Sequence, residues 1–176
     1  MQLTALLVGV LLVLGLWWYS LSLQVKKLTI PVEGLPHEFA GLKIAHISDL
    51  HGRTLSPDGT LARAIREAQV DFVTISGDFV THRVQEIKAF LPFLGALSTE
   101  MPIYAVSGNH DHDAGWDEVA AELKGVGVTV LDDAHVVLQR QAARVYVVGV
   151  RDPFSGRGNL AQAMPPESPN EVCLLL

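Results

Sequence analysis

Not one of the first 25 residues carries a charge, although the chain of 176 residues holds 13 Lys and Arg and 19 Asp and Glu. Within that stretch Leu3 to Leu23 would make a helix about 31 Å long at ~1.5 Å rise per residue. The hydrocarbon core of a bilayer is roughly 30 Å thick. Residues 1–25 are therefore predicted to be one transmembrane anchor, with Trp17, Trp18 and Tyr19 suited to a headgroup interface. The alternative is a secretion signal, which would open on basic residues and close on small ones. Here no Lys or Arg precedes the run, and aromatic residues stand where small ones should be. Lys26 and Lys27 are the nearest cations, and the positive-inside tendency would leave them and the following domain in the cytoplasm.

All the charge falls in the remaining 151 residues, a density of about 21%, which is close to that of an ordinary soluble domain. That length supports a single core and is too short for two. Cys173 is the only cysteine, so intramolecular disulfides and multi-cysteine metal sites are excluded. A net charge of −6 argues against a broad nucleic-acid surface, which needs clustered cations to neutralise phosphates. Small phosphorylated substrates stay open, because a metal can supply the positive charge.

Residues 26–42 mix charges with Pro31, Gly34, Pro36 and Gly41 and read as a connector with a short edge strand, Leu28 to Val32. From residue 43 an apolar run, a polar loop and a helical stretch recur. The runs are Lys43–Ser48, Val70–Ile75 and Ile103–Val106; the helical stretches are Asp58–Ala68, Val84–Leu97 (weakened or kinked by Pro92) and Trp116–Lys124. Strands alternating with amphipathic helices imply parallel pairing with helices over the sheet. Further on, Val128–Leu131, Val136–Gln139 and Val145–Val150 read as strands joined by short links that permit antiparallel neighbours but not helical crossovers. Residues 151–170 read as a loop with a helical turn near Leu160–Met164, and Val172–Leu176 as a final buried strand. The fold class is α/β: a layered sandwich of a mixed β-sheet and flanking helices behind one membrane helix.

In open α/β sheets ligands bind at the carboxyl ends of the strands. There the sequence places Asp49-Leu50-His51, then Gly77-Asp78, then Gly108-Asn109-His110-Asp111. Each alone is an ordinary turn former; three at equivalent positions point to a site. Their oxygen and imidazole donors suit Mn, Fe or Zn, and two ions can be held if one carboxylate bridges. On an extended segment Asp49 and His51 would project to the same side and converge on one ion. Glycine before Asp78 and before Asn109 would permit a tight turn that aims the next side chain inward.

These three motifs resemble the first three signatures of the calcineurin-like metallophosphoesterases, over a span from about residue 43 to the end. The uncharged N-terminus is similar to the anchor of bacterial single-pass members. The resemblance implies that Asp49, His51 and Asp78 hold one divalent ion, that Asp78 bridges to a second also bound by Asn109, and that water activated between them attacks phosphorus in line. His110 would protonate or stabilise the leaving oxygen, and Asp111 would orient His110. The family completes its site with three later histidines, including a Gly-His-x-His loop. Here the last histidine is His135 and no such loop occurs, so residues 43–176 are expected to be the N-terminal part of that domain. The implied function is a membrane-anchored, dinuclear-metal phosphoesterase acting on a phosphorylated small-molecule or lipid-linked substrate. The alternative is a noncatalytic product that binds a partner or phosphorylated ligand through a half site.

Several residues carry simpler readings. His46 is expected to be a structurally satisfied strand histidine, and Arg53 an exposed arginine that could hold a substrate phosphate. His112 and Asp113 could line a substrate mouth or be solvated. Asp117, Glu118 and Glu122 read as a solvated helix face with an acidic first turn. His37 and His82 have no assignable partners.

Overall fold

The computed structural model describes Gly9 and residues 24–155, 158–166 and 171–176. The expected membrane helix, residues 1–25, falls almost wholly outside them. Among the described residues no helix is long and apolar enough to cross a membrane. The chain divides into a unit ending at Ile30 and one from Pro31 onward, and the second holds the fold described next. The expected edge strand Leu28–Val32 does not form: these residues pair with no strand of either sheet, and Leu28 and Ile30 are exposed. Without a partner for its N–H and C=O groups a strand has nothing to hold it.

The first half alternates as anticipated: β1 (Ile44–Ile47), α1 (Thr60–Ala68), β2 (Phe72–Ile75), α2 (Leu91–Ser98), β3 (Ile103–Ala105), α3 (Asn109–Ala114), α4 (Trp116–Gly125) and β4 (Thr129–Val130). These strands form one sheet in the order β1-β2-β3-β4, every neighbour parallel. Side-chain alternation along β2 and β3 sends Val73, Ile75, Ile103 and Ala105 into a core with Ile65, Phe93, Leu94, Val119 and Leu123 from the helices. The opposite face sends Phe72, Tyr104 and Val106 against Leu131 and Val147.

The second half builds a separate sheet. Strands β5 (Ala134–Arg140) and β6 (Ala143–Gly149) form an antiparallel hairpin, α5 (Leu160–Ala163) follows, and β7 (Cys173–Leu175) returns parallel to β6. Val147 of β6 faces the first sheet, while Tyr146 and Val148 turn the other way onto Ala163. Two sheets thus pack face to face with helices outside, rather than one mixed sheet.

Three expectations are corrected in detail. Val128–Leu131 and Val136–Gln139 are not antiparallel neighbours, because Leu131 donates its N–H to Ala105 and the chain then changes sheets at Asp132-Asp133, where Asp133 adopts φ 49°. The single helix over 84–97 is two pieces, a 3₁₀ turn Val84–Ala89 and α2, with Pro92 in the first turn of α2 where its missing N–H costs nothing. The loop after β3 is itself helical, as α3. Within residues 26–42, Phe39, at the end of a 3₁₀ turn His37–Phe39, is 1% exposed, and the Arg140 guanidinium lies 5.1 Å from its ring centre. His46 is satisfied as expected, its Nδ1 lying 3.0 Å from Thr74 Oγ1 and its Nε2 3.3 Å from Ser76 Oγ, though the residue is exposed.

Candidate metal centre

The loops after β1, β2 and β3 meet at one end of the parallel sheet. The first lies along the second through backbone bonds: Asp49 N donates to Gly77 O (3.3 Å), His51 N to Asp78 O (2.9 Å) and Gly52 N to Phe79 O (2.8 Å). Asp49, His51 and Asp78 all adopt left-handed backbone conformations, at φ 57°, 45° and 54°. The segment is therefore not extended, as its alternating pattern suggested, but bent. Such conformations cost of order 1–3 kcal/mol each, and they gather where a structure must aim side chains. The bend still delivers the convergence: His51 Nε2 is 3.8 Å from Asp49 Oδ1 and 3.9 Å from Asp78 Oδ2.

The second and third loops touch through their glycines. A Cβ on Gly77, whose φ is +93°, would lie 2.1 Å from Gly108 N, and one on Gly108 would lie 2.2 Å from Asp78 Oδ1. Gly77 thus serves both turn and contact, whereas Gly108, with φ −101°, is needed for close approach alone. This contact lets His110 N donate to Asp78 Oδ1 at 3.2 Å. The His110 ring meets the His51 ring edge to face at 5.1 Å. Its Nδ1 lies 3.2 Å from Thr81 O, which can only accept, so Nδ1 carries the hydrogen and Nε2 is left to face the site.

One ligand atom from each of His51, Asp78 and His110 lies within 4.8 Å of the others. Two imidazoles and a carboxylate, with Asp49 beside them, are a donor set that fits a divalent transition metal. His110, assigned a leaving-group role from sequence, is thus also within reach of an ion. Asn109 begins α3 and lines a cavity of about 600 Å³ together with His112, Asp113, Asp152, Phe154 and Ser155. Ser107 ties its wall together, with Oγ 2.8 Å from His112 Nε2 and accepting the Asp152 N–H at 3.3 Å. His112 and Asp113 thus border this cavity, with Asp113 exposed.

Asp111 is wholly buried. Its carboxylate accepts Gly108 N–H at 2.9 Å and Val80 N–H at 3.1 Å, clamping third loop to second. The sequence expectation paired Asp111 with the His110 ring; that ring is met by the Thr81 carbonyl, and Asp111 acts on the backbone that carries it. Burial pushes the Asp111 carboxyl up to about 6 despite those two N–H bonds. Glu86 accepts Thr81 N–H at 2.7 Å, which holds its carboxyl below the usual range. Thr81, Glu86, Ser107 and Asp152 were not singled out from the sequence, because none belongs to a recognisable motif. His82 places its ring 6.5 Å from His110, while Arg53 stays exposed.

Known proteins give this geometry a context. Over 163 residues the chain is 29% identical to the UDP-2,3-diacylglucosamine pyrophosphatase LpxG of Chlamydia muridarum, covering 88% of this chain and 47% of that protein. It is also 29% identical to the uncharacterized metallophosphoesterase YkoQ of Bacillus subtilis, covering 78% of this chain and 54% of the relative. The chain thus spans about half the length of these relatives. Among solved structures, a novel archaeal phosphodiesterase aligns with a TM-score of 0.36 at 18% identity, over 76% of this chain and 82% of that one. The family model of the calcineurin-like phosphoesterases matches residues 42–151, a span that includes all three loops, and the chain belongs to that family.

Proposed function

We propose that the protein is a membrane-anchored phosphoesterase that hydrolyses phosphodiester or phosphomonoester bonds with two divalent ions, Mn, Fe or Zn. What carries the reading is the convergence of His51, Asp78 and His110 at the strand ends, with ligand atoms within 4.8 Å. Asp49, His51 and Asp78 would hold one ion; Asp78 and Asn109 would hold the second. When bound, such ions polarise the phosphoryl group and lower the pKa of water, supplying a nucleophile at neutral pH. The chain's own part is positional and protonic. Asp78 spends Oδ1 on the His110 N–H and keeps Oδ2 toward His51. His110 has Nδ1–H committed to Thr81 O, so the Nε2 lone pair is the one that can take up a proton and, in the imidazolium form, pass it to the leaving oxygen.

The substrate is read as a phosphorylated, lipid-linked molecule. Support comes from the uncharged run Leu3–Leu23, and from the LpxG relatives, whose name describes a pyrophosphatase of an acylated nucleotide sugar. The experiment is hydrolysis of bis(p-nitrophenyl) phosphate by the full chain in detergent, with and without Mn²⁺. The expected result is metal-dependent turnover lost in Asp78→Asn; a folded protein inactive with Mn²⁺, Fe²⁺ and Zn²⁺ alike would contradict it. A noncatalytic half-site binder would instead bind a phosphorylated ligand undiminished by Asp78→Asn.

A further inference from the structure

Thr81 touches both histidines of the centre, and by two different groups. Its hydroxyl Oγ1 lies 3.3 Å from His51 Nδ1, and its carbonyl O lies 3.2 Å from His110 Nδ1. Its own N–H is donated to Glu86 Oε2 at 2.7 Å, and the same oxygen takes the His82 N–H at 3.5 Å. Glu86 lies directly against the first loop, since a Cβ on Gly52 would come within 2.9 Å of Glu86 Cβ. One residue, pinned at its backbone by a carboxylate, therefore lies against Nδ1 of both rings.

We infer that Thr81 is the positioning residue for both histidines, holding each in the form whose Nε2 lone pair points into the site. This rests on the metal-centre reading above. An imidazole that ligates through Nε2 must carry its hydrogen on Nδ1, and the partner of that hydrogen fixes both tautomer and ring angle. For His110 the partner is a carbonyl, which accepts only, so its tautomer is set whatever side chain stands at position 81. For His51 the partner is a hydroxyl, which can accept the Nδ1 hydrogen once Nε2 is engaged. The two rings consequently respond differently to substitution: removing the hydroxyl releases His51 and leaves His110 unchanged.

The test titrates the full chain in detergent with Zn²⁺ alone, by calorimetry, and reads ring nitrogen shifts of the metal-free protein by long-range ¹H–¹⁵N correlation. Thr81→Val removes the hydroxyl at constant shape and is expected to weaken zinc binding about 10- to 100-fold, the usual range for partners that orient metal-bound histidines. Thr81→Ser restores the hydroxyl and should return zinc affinity to within about 3-fold of wild type. His110 should keep its hydrogen on Nδ1 in all three proteins. If Thr81→Val does not fold, Thr81→Ala provides the same comparison. Equal zinc affinity in wild type and the hydroxyl-free variant overturns the inference alone; a wild type that takes up no zinc overturns the metal-centre reading with it. Loss of binding that Thr81→Ser fails to rescue assigns Thr81 a merely structural role and also overturns it.

Discussion

Two regions flank the end of the parallel sheet and are built in opposite ways. On one side the segments 49–52, 77–81 and 108–111 are laced by backbone bonds and by the buried Asp111 carboxylate, over a floor of Phe79 and Val80 that is 0% exposed. On the other side lies the cavity of Asn109, His112, Asp113, Asp152 and Phe154, whose phenylalanine is 92% exposed. The laced side has little freedom to vary: Asp49, His51 and Asp78 have left-handed backbone conformations that neighbouring loops hold. The open side has few such constraints. Under the function proposed above, the chemistry would fall to the first region and selection among substrates to the second.

The comparison breaks most completely at Gly77. Gly77→Ala sets a Cβ against the Gly108 backbone at φ +93° and should cost about 3 kcal/mol or more. Urea unfolding would record it, together with loss of divalent-metal binding. Phe79→Ala removes a fully buried ring stacked 6.1 Å from Phe90, and large-to-small changes of that kind cost about 3–5 kcal/mol. Its melting temperature should fall sharply while any residual folded protein keeps its cavity. On the open side, Phe154→Ala should change stability by less than about 0.5 kcal/mol, as exposed positions do. Its effect should appear as a KM raised about 2- to 10-fold for diesters with a ring-bearing leaving group, the scale of one aromatic contact, with metal affinity unchanged. An equal KM for all diesters would remove the cavity from substrate selection.

The smallest effect belongs to Glu86, at the edge of the laced side. Its carboxyl is held below the ordinary glutamate value chiefly by the Thr81 N–H. The sign follows: the contribution is present above the ordinary pKa and fades as pH falls through the lower, folded value. Unfolding curves of wild type and Glu86→Gln should therefore differ at neutral pH and draw together in acid. Curves that separate further in acid would reverse the assignment.

The first half of the fold was legible because buried parallel strands and amphipathic helices write different periods into the sequence, as in Val70–Ile75 against Asp58–Ala68. The change of sheet at Asp132-Asp133 was not, since a two-residue link reads the same whether the next strand pairs or departs. Leu28–Val32 has strand composition without a partner, a property of the tertiary structure. For the site, Asp49, His51, Asp78 and His110 were visible because metal-ligating residue types recur beside glycines and at strand ends. Their conformations were not, because left-handed backbone at Asp49 and His51 comes from hydrogen bonds to Gly77 and Asp78, in a different loop. Thr81 and Glu86 were invisible for the same reason: backbone groups make much of their contribution, and backbone leaves no residue-type signature.

The most direct measurement is calorimetric titration of the full chain with Mn²⁺, set beside Asp78→Asn. Asp78 is the side chain through which all three loops meet, accepting from His110 N and facing His51. Its amide should weaken the ion by at least about 100-fold, beyond the cost of an outer-sphere partner, with the circular dichroism spectrum unchanged. Binding of Mn²⁺ by Asp78→Asn as tightly as by wild type would contradict the metal centre.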